Sequence, residues 1–227
     1  PDGILFSDVS EASRGAALLR ALAWRFNDRR PLRQGPFVRP LVEACRAERP
    51  GYLIATGPSL TKDGLLALRA LGVTTLNYAT DDPWNPSVKS RWHLAALPHH
   101  DVIATPRDNF MSIGCRRVEI VPFAFDEALV AFDTPLPHAP DVLFVGDADR
   151  DRVAFMRRFA AEVPVGVIGG YWSREPIGGV TDLGHRPPRA VAGMTAAARV
   201  NLCLVRHANR DGHVMRTYEM AAIGAAM

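Results

Sequence analysis

The sequence is short of several things, and each shortage excludes a class of protein. It has three cysteines, Cys45, Cys115 and Cys203, an odd number lying far apart with no Cys-x-x-Cys spacing. That excludes a disulfide scaffold and a thiolate metal cluster, and the three read as buried free thiols of a reducing compartment. No run of about 18 uncharged apolar residues is present, and no charged-then-apolar amino terminus, so neither a membrane-spanning helix nor a signal peptide is expected. The expected location is cytoplasmic. Lysine is nearly absent: of 27 basic residues only Lys62 and Lys89 are not arginine. With a net charge of +3 and no basic tract or aromatic-interleaved stripe, the chain does not read as a nucleic-acid binder. Gly-x-Gly-x-x-Gly after a strand is missing too, both from Ser7-Asp-Val-Ser-Glu-Ala-Ser-Arg-Gly and from Gly146-Asp-Ala-Asp-Arg-Asp, which disfavours an NAD-linked dehydrogenase.

What is present is a repeating alternation. Apolar runs at Ile4–Phe6, Tyr52–Thr56, Thr74–Tyr78, Val102–Thr105 and Val118–Val121 predict strands. Between them, Glu11–Arg25, Phe37–Glu48, Leu60–Leu71, Pro86–Ala96 and Pro106–Gly114 predict crossover helices. Runs without polar alternation suit a parallel sheet covered by helices. Pro135, Pro137 and Pro140 then interrupt the period, so residues 1–133 are expected to form one doubly wound domain, 134–140 a linker and 141–227 a second. In the second half, strands are expected at Asp141–Val145, Val165–Ile168 and Val200–Val205, and helices at Asp151–Ala161, Arg189–Arg199 and Val214–Ile223, with Gly169–Pro188 irregular. The chain begins at Pro1 and stops at Met227, where such a domain would start its next strand; the native protein is expected to continue.

Two doubly wound domains place the carboxyl ends of their strands across a cleft, so function is expected in strand-to-helix loops. The loop Gly146-Asp147-Ala148-Asp149-Arg150-Asp151-Arg152 can receive an anion on its amides, with Arg150 and Arg152 supplying guanidinium forks. Asp149 or Asp151 serves equally well as a helix N-cap needing no ligand. Asp147-x-Asp149 is a weak cation motif without a third ligand, and no metal is expected. In the second half, Asp211 precedes a helix and Glu219 lies two turns inside it, facing either solvent or a ligand. Arg216, three residues before Glu219, permits a plain helix ion pair. In the first half, Asp81-Asp82-Pro83-Trp84 follows a strand; Asp82 either orients a hydroxyl or serves as a base, or simply forms a turn. His99 and His100 sit at a strand entry, away from the cleft, and His185 and His207 lie nearer it without visible partners.

Asp211-x7-Glu219 followed by Met-Ala-Ala-Ile-Gly resembles the Glu-x7-Glu region of retaining glycosyltransferases of the GT-B fold, with Asp211 standing where that superfamily has Glu. More narrowly, Tyr78-Ala-Thr-Asp-Asp-Pro-Trp-Asn, Val142-Leu-Phe-Val-Gly-Asp, Val200-Asn-Leu-Cys-Leu-Val and Asn209-Arg-Asp-Gly-His-Val-Met-Arg-Thr-Tyr-Glu are similar to the CgeB-like, spore-maturation group. The resemblance implies two Rossmann-like α/β domains facing a cleft and a glycosyltransferase of hexosyltransferase type. Its donor would be a nucleotide-diphospho-sugar, with no separate cofactor. The acceptor would be a carbohydrate, lipid or protein, which leaves room for peripheral membrane contact. Carried over, Glu219 would bind the ribose, Asp211 would face the sugar, and Gly146, Arg150, Arg152, Arg206 and Arg216 would hold the diphosphate side. A nucleotide-sugar epimerase or isomerase and a silent binding module are the alternatives on the same fold.

Overall fold

The computed structural model describes residues 7–86, 88–132, 139–205 and 213–227. The chain divides into two compact units, Pro1–Pro122 and Phe123–Met227. The expected strand Ile4–Phe6, and Pro135 and Pro137 of the expected linker, lie outside the described residues.

The N-terminal unit holds a four-stranded sheet in the order β1 (Tyr52–Thr56), β2 (Thr74–Tyr78), β3 (Val102–Thr105), β4 (Val118–Ile120). All neighbours are parallel, in the register Ile54↔Leu76↔Val102 through the first three strands. Ahead of the sheet run α1 (Ala17–Phe26) and α2 (Gln34–Glu48); α3 (Lys62–Ala70) and α4 (Arg91–Ala96) make the crossovers into β2 and β3. The helix α3 starts where the Thr61 hydroxyl accepts from Gly64 N at 3.1 Å, which satisfies one of the orphan donors of the first turn. It buries Leu65 and Leu68 against Phe37, Val38, Val42 and Cys45 of α2 and Ala55 of β1. On the other face of β1, Tyr52 and Ile54 are 76% and 73% exposed.

Three expected helices take other forms. Glu11–Arg25 is a 3-10 turn at Val9–Ser13 and then α1, separated at Gly15, whose φ of 148° no L side chain adopts comfortably. Only the last turn and a half of Pro86–Ala96 is helical: Ser90 makes no capping bond, and α4 is instead capped from a distance by Asp28, which accepts from Arg91 N at 2.6 Å and Trp92 N at 3.0 Å. Pro106–Gly114 is a 3-10 turn at Asp108–Ser112.

The C-terminal unit holds β5 (Val142–Val145), β6 (Val165–Ile168), β7 (Val180–Asp182) and β8 (Val200–Leu202) in the parallel order β7-β6-β5-β8. Its helices are α5 (Glu127–Val130), α6 (Arg150–Phe159), α7 (Pro188–Ala197) and α8 (Met215–Ile223). One face of the sheet buries Val142, Phe144 and Val167 against Val153 and Met156 of α6 and Trp172. The other buries Leu143 and Ile168 against Met194 of α7 and Ala198. Helices on both faces of a parallel sheet are the doubly wound arrangement, and they explain the near-continuous apolar runs of β5 and β6. After α8, Gly224 turns the chain through a left-handed conformation, and buried Asn201 of β8 ties the tail down by donating from Nδ2 to Ala226 O at 3.1 Å and Thr195 O at 3.0 Å. Among the described residues no helix is long and apolar enough to cross a membrane.

Candidate functional site

In the C-terminal unit, the ends of β5 and β6 are stitched together by their own loops. Gly146 N donates to Ile168 O at 2.7 Å and Ala148 N to Gly170 O at 2.9 Å. The Asp147 carboxylate accepts from Gly170 N at 2.7 Å, and the Trp172 indole donates to Gly146 O at 2.8 Å. Glycine is required here by close approach: a Cβ on Gly169 would sit 2.4 Å from the carbonyl oxygen of Gly146. The result is a fixed, bare backbone floor at the carboxyl ends of two central strands, the place where open α/β sheets receive ligands.

Above that floor opens a cavity of about 310 Å³. Gly146, Asp147 and Gly169 border it, His185 and Arg186 approach from the segment before α7, and Arg216 and Glu219 come from α8. Spacings of three and four along α8 put Arg216, Glu219 and Ile223 on one helix face, and all three line the cavity. Arg216 Nη1 lies 2.5 Å from Glu219 Oε2, so the helix ion pair forms, yet the Glu219 side chain is only 15% exposed. This carboxylate is therefore not a solvated helix glutamate. Its buried Oε2 is engaged by Arg216, and since a carboxylate oxygen carries two lone pairs the group can still accept from a hydroxyl that enters the cavity. The cavity joins two guanidiniums and two carboxylates, a set suited to a ligand that presents both anionic groups and hydroxyl donors.

Of the two readings open for the β5–α6 loop, the helix cap is the one seen to form. Asp149 is the N-cap, accepting from Asp151 N at 3.1 Å and Arg152 N at 2.9 Å. Replacing Asp149 by alanine is expected to destabilise the chain by about 1 kcal/mol, read as a lower urea midpoint at an unchanged slope. Arg152 turns inward: it donates to Asp147 O at 3.0 Å and Leu204 O at 3.4 Å, and its guanidinium lies 5.2 Å from the Phe144 ring centroid. It braces the loop from beneath, and neither it nor exposed Arg150 lines the cavity. Asp147 is held by Gly170, and no group of three or more His, Cys, Asp or Glu side chains suited to a metal occurs among the described residues. Arg206, His207 and Asp211 lie outside the described residues. Asp82 belongs to the N-terminal unit, where it is 1% exposed and accepts from Trp84 N at 2.9 Å, the geometry of an Asx turn before Trp84. Of the lining residues, His185 was expected near the cleft, whereas Arg186 and Val130 carried no such expectation from sequence. The one signal pointing to Arg186 is its position in Gly184-His-Arg-Pro-Pro, a cationic pair set just before a helix that opens on proline.

Residues 150–227, which contain α6 to α8, are matched by a family described as Glycosyl transferase-like. No protein of curated function matches the chain. Among solved structures, spinosyn rhamnosyltransferase SpnG is similar at 13% identity and a TM-score of 0.43, over 96% of this chain and 63% of that one. The same enzyme complexed with thymidine diphosphate is similar at 12% identity and a TM-score of 0.44, over 96% and 64%. The chain thus spans less than two thirds of the length of these structures. Over its last third the chain is similar to the glycosyl transferase-like family, and that segment supplies α8 and its Arg216–Glu219 pair.

Proposed function

We propose that the C-terminal unit holds the donor of a glycosyltransferase, a nucleotide-diphospho-sugar, and that the sugar passes with retention and without metal to a carbohydrate, lipid or protein acceptor. The observation that carries this reading is Glu219, a mostly buried carboxylate with unused acceptor capacity on the wall of a cavity at the strand ends. In the proposed complex it accepts from the ribose hydroxyls. Arg216 and Arg186 face the diphosphate, Gly146 and Gly169 let the ligand approach the backbone, and Asp211 faces the transferred sugar. When the bond between the anomeric carbon and the diphosphate breaks, negative charge grows on the leaving phosphate oxygens, and the Arg216 guanidinium, already held by Glu219, stabilises it. The narrower likeness to the CgeB-like group, carried by the segments from Tyr78 to Glu219, agrees with this assignment.

The test is a cycle with one partner on the ligand. Glu219→Ala is expected to weaken a ribonucleoside diphosphate by about 2 kcal/mol, since hydrogen bonds to a charged group run ~1.5 to 3 kcal/mol, and to weaken its 2′-deoxy analogue much less. Calorimetric titration of both ligands against both proteins measures it. Equal losses would show that Glu219 does not touch the ribose, and the donor assignment would fall.

A further inference from the structure

In the N-terminal unit, α1 presents its apolar side to solvent. Leu18, Leu22 and Phe26, spaced by four, form one row along the helix, with Leu19 beside the row. All four are exposed, Leu18 by 71% and Phe26 by 75%, and of the ten residues of α1 only Ala23 is buried. A helix this short is marginal in water and normally persists by packing its apolar face. Here an alanine is the packed residue and the leucines are outside. Single exposed leucines are ordinary on a protein surface, but a contiguous row marks a surface that meets something apolar. Cations accompany the row without acids: from Ala12 to Asn27 the chain contains no Asp or Glu. Arg25 borders the row, its guanidinium 5.8 Å from the Phe26 ring centroid. Arg20 and Arg25 are exposed and form no ion pair among the described residues. The carboxylates on either side of this stretch are already engaged, Glu11 with Arg14 at 3.3 Å and Asp28 with Arg91 N and Trp92 N.

We propose that α1 docks the N-terminal unit on an anionic lipid bilayer, lying in the plane of the interface with Leu18, Leu19, Leu22 and Phe26 against the acyl chains. An apolar row with cations beside it and no acid matches such a surface in both its parts, the hydrocarbon and the negative headgroups. Arginine side chains are long enough to reach the headgroups from the flanks of a half-sunken helix. A second copy of the chain matches less well, because a two-fold contact through α1 would press two acid-free, arginine-bearing faces together. This surface is independent of the donor assignment above and lies in the other unit.

Co-sedimentation of the full chain with vesicles of phosphatidylcholine alone, and of phosphatidylcholine and phosphatidylglycerol in equal parts, tests the proposal. Binding is expected on the anionic vesicles, weakening as salt is raised, and is expected to be much weaker on the neutral ones. Leu18→Gln and Phe26→Gln should each lower the partition coefficient about tenfold, and Arg25→Gln about fivefold. These side chains are exposed, so the variants keep the fold, and an unchanged melting temperature verifies this. Ile54→Gln, at an equally exposed apolar residue of β1, should leave vesicle binding as it is, which separates docking through α1 from general stickiness. Glu219→Ala should leave it as it is too, so this outcome stands apart from that of the donor site. Absence of binding to the anionic vesicles, or equal partition of wild type, Leu18→Gln and Phe26→Gln, would overturn the proposal. Binding to neutral vesicles as tight as to anionic ones would overturn the role of charge. Self-association that Phe26→Gln abolishes, without vesicle binding, would give the face to a second copy and overturn the proposal as well.

Discussion

Gly169→Ala is expected to destabilise the chain by about 3 kcal/mol and to abolish the shape of the cavity floor. The added Cβ would lie 2.4 Å from Gly146 O and 2.5 Å from its carbonyl carbon, so the clash is with backbone and not with the movable end of a side chain. Relief requires the ends of β5 and β6 to part. Parting them strains or breaks the bonds Gly146 N to Ile168 O, Ala148 N to Gly170 O and Trp172 Nε1 to Gly146 O, all at 2.7 to 2.9 Å. The backbone adds its own penalty, because φ at Gly169 is 150°, outside the range an L residue adopts easily. Loss of one or two such buried bonds, at about 1 kcal/mol each, together with the strain of overpacking gives the stated size. Gly178→Ala is the control: nothing lies within 4 Å of its added Cβ, and a change within about 0.5 kcal/mol is expected. Urea unfolding of the three proteins decides it. If the Gly169 and Gly178 variants share one midpoint, the close approach of the two strand ends is not what selects glycine there.

The sequence revealed elements where local chemistry was enough to fix them. The strands β1, β2, β3 and β6 match their expected runs residue for residue; those of β1, β3 and β6 are bounded directly by glycine, proline or aspartate and need no distant partner to be recognised. The strand β7 was hidden inside Gly169–Pro188: Val180 is its one apolar residue, and it exists because it pairs with β6 through Gly166↔Thr181 and Val167↔Asp182. The start of α4 was equally hidden, since its cap comes from Asp28, 63 residues away in sequence from Arg91. The same division runs through the candidate site. Gly146, Arg216 and Glu219 were legible because a strand end and a helix face are local features. Val130 and Arg186 were not, since folding alone brings α5 and the segment before α7 to the same cavity. The inward turn of Arg152 was illegible for a related reason: its partners Asp147 O, Leu204 O and the Phe144 ring come from three places in the unit.

Acid is expected to unfold the N-terminal unit well before carboxylates titrate, because two of its histidines are held neutral. His100, at the entry to β3, is 2% exposed, and its Nδ1 makes no hydrogen bond. Burial lowers its pKa to about 4, the nearby His93 adds to the shift, and the adjacent Asp101 only partly opposes it. Burial likewise lowers His93, on α4, to about 4. Asp101 is itself occupied: burial disfavours its charge, but bonds from Thr75 N at 2.9 Å and the Thr75 hydroxyl at 3.0 Å, with Arg69 nearby, keep its pKa below the usual carboxylate value. The sign follows from proton counting. In the unfolded chain both histidines titrate near 6.5, so below that pH the unfolded state takes up protons that the folded state refuses until about pH 4. Stability is therefore complete above about pH 7 and falls through the window from 6.5 to 4, by about 1.4 kcal/mol per pH unit for each histidine. Two histidines together lose about 5 kcal/mol by pH 4.5, a large share of the 5 to 15 kcal/mol typical of a folded domain. Asp101 acts in the same sense at lower pH, where its own protonation weakens the Thr75 bonds. Urea unfolding followed by tryptophan fluorescence at pH 7.5, 6.5, 5.5 and 4.5 measures the slope, and Trp84 and Trp92 report on this unit. His100→Gln should halve that slope whatever it does to stability at neutral pH, since it removes one of the two titrations. A free energy of unfolding that stays level from pH 7.5 to 5.5, in the wild-type chain, would show that the two rings are not held neutral by burial.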